Sequence, residues 1–441
     1  MKTLRFVLLI LLCFMSQVAS SALPISKISL KSGATLYFVE AHSIPMLDIG
    51  VDFVGGDVYD PAGKSGVAGM TASLMNKGTL IDRKLKNEAY IADRISDLGA
   101  SVSFGSSSES LSIRVRTLIQ EDVLRDVVNL VSNMAAAPVF DGKILEREKQ
   151  RWISSIKDAN TKPEVLLSKN FDKLVFKNHP LGIDTTVQSV AAISVNDLKK
   201  YHQTFFNAKR ANVLIVGDIS QNQAIQIAEQ ITEVLPKDSG DLPVLPKLLD
   251  SQKMPAAERE LRISHPSTQA HIRMGMTAVP RNHPDYFPLL VGNYVLGGGG
   301  FVSRLMNEVR EKRGLAYSVS SYFYPGKFNG SFVAGMQTKK EQTNEALQVM
   351  QTTIGEFIQN GPSDSELKAA KDNLINGFPL RIDSNRKLLD NISNIAWHGL
   401  PLNLLDTWTD QVNAVTKDQV IRAFQNHLDM ERMVTVVVGG Q

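Results

Sequence analysis

Cysteine is almost missing from this chain. The one cysteine, Cys13, falls in the apolar opening of a 441-residue sequence. The body of the protein is therefore expected to have no disulfide, no thiol nucleophile and no Cys-based metal site. Long apolar runs are missing too: beyond the N-terminus no segment reaches the ~18 residues a membrane span requires. Charge of one sign is not in excess. The 48 basic and 45 acidic side chains leave a formal +3, which gives no reason to expect nucleic acid or an anionic membrane as partner. Histidine pairs are absent as well. None of the eight histidines has another three, four or five residues away, so no helix offers two imidazoles on one face.

What is present begins with a sorting signal. MKTLR carries positive charge, FVLLILLCFM is apolar, and QVASSA ends in small residues that suit cleavage after Ala22. The preceding Leu11 and Leu12 do not suit a lipoprotein cysteine, and a mitochondrial presequence would be amphipathic and Arg-rich. A periplasmic or secreted location is expected. Without Lys2 and Arg5 the balance becomes 46 basic to 45 acidic, so the mature chain is near neutral.

Residues 23–441 exceed what one ordinary core holds, and two domains are expected. In LDIGVDFV, Ile49, Val51 and Phe53 share one face while Asp48, Gly50 and Asp52 share the other. LSIRVRTL sets Ile113 and Val115 against Arg114 and Arg116. NVLIVGDI and MVTVVVGG are denser runs that suit strands buried on both faces. Their contexts match. ISVNDLKKYHQTFF precedes the first and VTKDQVIRAFQNHL the second, opening with Ser194 and Asp197 or with Thr416 and Gln419 in the capping-box manner. Upstream, VLRDVVNLVSNM pairs with EALQVMQTTIGEFI, each ahead of a charged helix near Asp141 or Ser363. The element order of the first half is thus replayed. Residues 237–260, with three prolines and scattered charge, have linker composition. The expected layout is domains at 23–237 and 258–441 around a linker at 238–257. Each is an α+β layer, a mostly antiparallel sheet flanked by helices.

Two segments carry the chemistry. GVAGMTASLMNKGT (66–79) is a small-residue helix followed by a turn, and LGGGGFVSRLMNEVREKRGLAYSVSSYF (296–323) joins a glycine run to a charged helix and a strand. With the duplicated layout they resemble the pitrilysin/insulinase family of zinc peptidases, the inverzincins, across essentially the whole mature chain. The resemblance implies a clam-like half-chamber. Members hold zinc by H-x-x-E-H, with histidines at i and i+4 on one helical face and the Glu as general base, plus a Glu on a later helix. Here Gly69 and Ser73 stand for the histidines and Ala72 for the base. Seven residues beyond Glu148 in ILEREKQRWISS, where the later Glu is due, stands Ser155. No zinc is expected to be bound by this chain; zinc is expected in the partner subunit. His265 and His271 in HPSTQAH lack an accompanying carboxylate and read as surface or interdomain residues; Glu146 and Glu148 read as a solvated helix face, and Asn178-His179-Pro180 as a turn.

The second segment follows the family pattern almost without departure. The resemblance implies that Arg310 hydrogen-bonds substrate backbone and that the Tyr317 hydroxyl steadies the oxyanion, roles suited to a guanidinium and a phenol. Gly297–Gly300 lacks the G-K-[ST] of a nucleotide loop. It reads as a mobile loop permitting close backbone approach, and the resemblance implies that this loop faces the chamber, which makes Gly299 and Phe301 substrate-contact candidates. Ala100–Phe104 takes the place of the family's edge strand. The expected function is a non-catalytic subunit of a heteromeric zinc endopeptidase, inactive alone, with an exported H-x-x-E-H homologue as partner and peptide as substrate. The alternatives are a stand-alone peptide-binding protein and a scaffold.

Overall fold

The computed structural model describes residues 24–237, 240–248, 255–327 and 330–440; the export segment and Cys13 lie outside them. Of the linker, residues 240–248 carry no helix or strand. Alternation sorts the remaining chain into two sheets. The first contains β1 (Ser26–Ser29), β2 (Thr35–Glu40), β3 (Met46–Val54), β6 (Ser101–Ser106), β7 (Ser110–Leu118) and β8 (Ala211–Gly217), in the order β1-β2-β8-β3-β7-β6. A hairpin of β4 (Gly78–Ile81) and β5 (Lys84–Asn87) stands apart from it. The second sheet contains β9 (Glu260–Ile263), β10 (Gln269–Ala278), β11 (Ala316–Tyr324), β12 (Gly330–Lys339) and β13 (Val434–Val438), in the order β11-β12-β10-β13-β9. From β2 to β6, and from β9 to β11, the topology is the same: one parallel pair, then three antiparallel pairs. The duplication read from the sequence is thus a duplication of the sheet itself.

The caps fall as expected. Ser194 Oγ accepts the Asp197 N–H at 3.3 Å while Asp197 accepts the Ser194 N–H at 2.8 Å. Thr416 and Gln419 do the same at 3.2 and 2.8 Å. Each exchange satisfies two donors that a helix start leaves free. Both helices then run into the buried strands β8 and β13.

Each sheet has two faces, and the second face of each is covered by the opposite half. Helix Pro163–Val175 belongs to the first half by sequence, yet Leu167, Phe171 and Val175 form one buried cluster with Val434, Val436 and Val438 of β13. Arg273 of β10 donates to Ser168 Oγ at 2.9 Å from beneath the same helix. Reciprocally, Leu388, Leu389, Ile392 and Ile395 of helix Asn385–His398 share a core with Tyr37, Val39, Leu214 and Val216. The polar face expected of LDIGVDFV is therefore not solvated. Asp52 is buried, takes the Arg114 guanidinium at 2.6 Å and accepts from Ser393 Oγ at 2.5 Å; Asp48, also buried, is bidentate to Arg116 at 2.8 and 2.9 Å. Burying carboxylates is tolerable only with such partners. Glu148 departs from its reading in the same way. It is buried, with Arg147 at 2.7 Å and Arg151 at 2.9 Å supplying the compensating charge.

Two outcomes follow from this packing. Phe171 is fully buried across the junction of the halves, so Phe171→Ala is expected to lower unfolding stability by about 3–5 kcal/mol in chemical denaturation. Arg304, just beyond the glycine run, binds Glu366 bidentately at 2.7 Å, and this holds the Glu366 carboxyl down to about 2. Its contribution is complete above the ordinary carboxylate range near 4.5 and is lost as pH falls towards about 2. Glu366→Gln is therefore expected to destabilise by about 1–2 kcal/mol at pH 7, a figure reduced for solvent screening. The difference from wild type should shrink below about pH 4.5 when melts are compared across pH.

Candidate functional site

Two places correspond to the two halves of the expected machinery. In the first half, helix Val67–Leu74 follows β3 and is anchored at its start by Asp60, whose carboxylate accepts the Gly66 and Ala68 N–H groups at 2.6 and 2.8 Å. Burial pushes the Asp60 carboxyl up to about 7. Val67, Ala68, Met70, Ala72 and Leu74 are buried, so most of the helix is core. Gly69 and Ser73 lie one turn apart, both half-buried. Facing Gly69 is the indole of Trp152, on helix Gly142–Ala159. A Cβ built on Gly69 would stand 2.8 Å from Trp152 Cη2 and 3.4 Å from Ser106 Oγ on the edge strand β6. The indole thus fills the space a side chain at 69 would need. Ser155, one turn further along, is exposed. The helix is kept as core while its outward slot is closed by an aromatic ring.

In the second half, helix Tyr286–Asn293 continues into a wider turn through Gly298, where the Gly299 N–H reaches back five residues to the Tyr294 carbonyl at 2.8 Å. The glycine run is therefore largely helical rather than the loop expected. Contact is the reason: a Cβ on Gly297 would lie 2.4 Å from Ser321 Oγ and 2.5 Å from the Ser321 nitrogen of β11, so only glycine lets helix and strand approach this closely. Gly299 is half-buried, with Tyr294 where its side chain would be.

A second wide turn spans Met306–Glu311, with the Lys312 N–H donating to the Asn307 carbonyl at 2.9 Å. Such turns shift one residue's direction relative to a regular helix, and Arg310 lies within this one. Its guanidinium lies over two aromatic rings, 4.8 Å from the centroid of Phe301 and 4.8 Å from that of Tyr317. Phe301 and Tyr317 are themselves 69% and 80% exposed. Phe301 therefore meets Arg310 as its stacking partner. Tyr317 owes its outward direction to a bulge: Ala316 pairs with Thr338 and Val319 with Met336, so β11 carries one extra residue between them. Tyr317 on the edge strand β11, with Arg310 and Phe301 from the turns before it, forms one group in which planar donors are held by cation–π contact and a phenol is open to solvent. Guanidinium and phenol can both donate to a peptide laid across them.

Among the residues named from sequence, Arg310, Tyr317 and Phe301 are brought together, and Gly299 lies at the end of the glycine-rich turn leading to them. Gly69, Ala72 and Ser73 share one helix, with Ala72 inward, and Ser155 stands on the neighbouring helix. Trp152 was missed. Its signal was available in a large ring one turn beyond Glu148, opposite a glycine where relatives carry a ring.

Comparison with known proteins agrees with this picture. Residues 38–188 match the insulinase family (peptidase family M16), and residues 192–374 match the peptidase M16 inactive domain. A non-peptidase homolog, YmxG of Helicobacter pylori, is 25% identical over 444 residues, covering 99% of each chain. The crystal structure of a peptidase M16 inactive domain from Pseudomonas fluorescens is 30% identical, superposes with TM-score 0.88, and is matched over 95% of this chain and 98% of its own. The periplasmic protease PqqL of Escherichia coli, 15% identical with TM-score 0.79, shares the fold, and 96% of this chain covers 46% of it. On the sheet duplication, the altered helix and these matches together, the chain belongs to the insulinase (M16) peptidase family, as an inactive homologue of its zinc enzymes.

Proposed function

We propose that the protein is the exported, non-catalytic subunit of a heteromeric zinc endopeptidase, lending Arg310 and Tyr317 to a homologous partner that carries H-x-x-E-H. The observation that carries this reading is the unequal fate of the two halves. The slot beside Gly69 is closed by Trp152, whereas Arg310 is stacked and Tyr317 is turned outward by a bulge. A scaffold has no use for an 80% exposed tyrosine beside an arginine that lies over two rings. The length of the periplasmic protease supports the same reading, since one such chain matches about half of it; a second half, facing the first, completes a chamber.

In the assembled complex the peptide lies extended in the partner's half, where the ion supplies an activated water. This chain positions and stabilises. The Arg310 guanidinium donates to a backbone carbonyl of the peptide, and Phe301 restrains the arginine so that less freedom is lost on binding. The Tyr317 hydroxyl donates to the carbonyl oxygen as it gains negative charge, a contact strongest in the transition state. The edge strand β6 offers unpaired backbone groups to which an extended segment can add.

Because the Tyr317 side chain is exposed, Tyr317→Phe is expected to leave the melting temperature unchanged. It should lower turnover of the mixture with the H-x-x-E-H partner on the order of a hundredfold. Unchanged turnover would remove the residue from the reaction and the proposal with it. A second outcome concerns the closed slot. The fourfold change Gly69→His, Ala72→Glu, Ser73→His and Ser155→Glu is expected to add no zinc uptake over wild type while Trp152 remains, and to add it once Trp152→Ala is combined with it. Zinc uptake by the fourfold variant alone would mean the indole is not what closes the site.

A further inference from the structure

The glycine-rich helix begins beside a cluster that no motif spacing announces. His283 and Asp285 lie in the loop before helix Tyr286–Asn293, and His427 is the last residue of helix Lys417–His427, more than a hundred positions away in sequence. One ligand atom from each lies within 4.8 Å of the others. His427 Nε2 meets Asp285 Oδ2 at 2.7 Å, His283 Nδ1 is 3.9 Å from the same oxygen, and the two imidazoles stand edge to face at 4.7 Å. All three side chains are partly exposed, between 19% and 34%.

We propose that His283, Asp285 and His427 form a metal site for a divalent first-row ion, with zinc the fitting case, distinct from the family's catalytic position beside Gly69. Two imidazoles and one carboxylate are a donor set zinc accepts, and tetrahedral bonds of 2.0–2.1 Å place ligand atoms ~3.3 Å apart. The 2.7 Å contact must open and the 3.9 Å contact close by similar small amounts, which side-chain rotation provides. Of the three residues, Asp285 also lines a cavity of about 570 Å³, shared with Gln419, Arg422 and Asn426, and because all three side chains are partly exposed, water can complete the shell. A second feature points the same way. Asp285 occupies the N-cap position of its helix, yet its carboxylate makes no capping bond and turns to His427 instead. Asparagine and aspartate at that position ordinarily serve the helix's own free N–H groups. The opposing contact is the Asp285 N–H, which donates to His283 Nδ1 at 3.1 Å; a bound ion takes that lone pair in its place. The site would then tie the start of the helix carrying the glycine run to the end of the helix that feeds β13.

The test uses the untagged mature protein, stripped with chelator and dialysed against zinc chloride. Wild type is expected to take up one zinc per chain and to melt at higher temperature with zinc than without. Asp285→Asn and His427→Ala should weaken uptake at least about tenfold and abolish the thermal shift, with helical circular dichroism unchanged. Should His427→Ala fail to fold, His283→Gln in the loop reads the same property, and His265→Ala serves as the unaffected control. Absence of uptake by wild type, or uptake unaltered in the folded ligand variants, would overturn the site. Neither result bears on Tyr317 turnover, so this inference stands or falls apart from the proposed function.

Discussion

A sheet buried on both faces needs two layers of cover, and in this protein the second layer of each sheet comes from the other half of the chain. Phe171 and its neighbours close the outer face of the second sheet, while Ile392 and Ser393 close that of the first. This reciprocal burial gives the halves shared cores. It also shows why this helix is needed without zinc ligands on it. Helix Val67–Leu74 is needed as core, through Val67, Met70 and Leu74, whatever stands at 69, 72 and 73. With glycine at 69, the Trp152 ring occupies the outward slot and gains burial there.

The other half kept a different kind of constraint. An arginine side chain is long and rotamer-rich, and mobile unless something orders it. Here two rings order Arg310, and a bulge directs one of those rings outward. Neither feature serves the core, since Phe301 and Tyr317 leave most of their surface in water. Exposed aromatics beside an ordered cation cost solubility without adding stability, so their retention fits a surface that meets another molecule.

Much of this was legible in the sequence. Alternation gave β3 and β7, the capping residues at Ser194 and Thr416 marked matching helices, and the repeated order of elements anticipated two sheets of one topology. These signals are local, set within a few residues of one another. What could not be read was mutual. Nothing in helix Asn385–His398 says which sheet it covers, so the alternation that set Asp48 and Asp52 on one face of β3 did not show that they are buried and paired. Glu148 misled differently: its partners Arg147 and Arg151 are neighbours on its own helix, but their spacing does not show that the carboxylate is buried. The glycine run read as loop because four glycines weaken a helix; the close approach of Ser321 outweighs that preference. His283, Asp285 and His427 escaped notice because chain spacing searches see only neighbours in sequence.

The account's central claim is that cleavage requires two different polypeptides, with this one contributing no hydrolytic centre. Its most direct test is peptide hydrolysis by the purified chain, measured alone and then with the H-x-x-E-H homologue from the same cell. The account predicts no turnover from this chain alone and a large rise on mixing, saturating at equimolar subunits. Sustained hydrolysis by the isolated chain, or a mixture no faster than the homologue by itself, would contradict it.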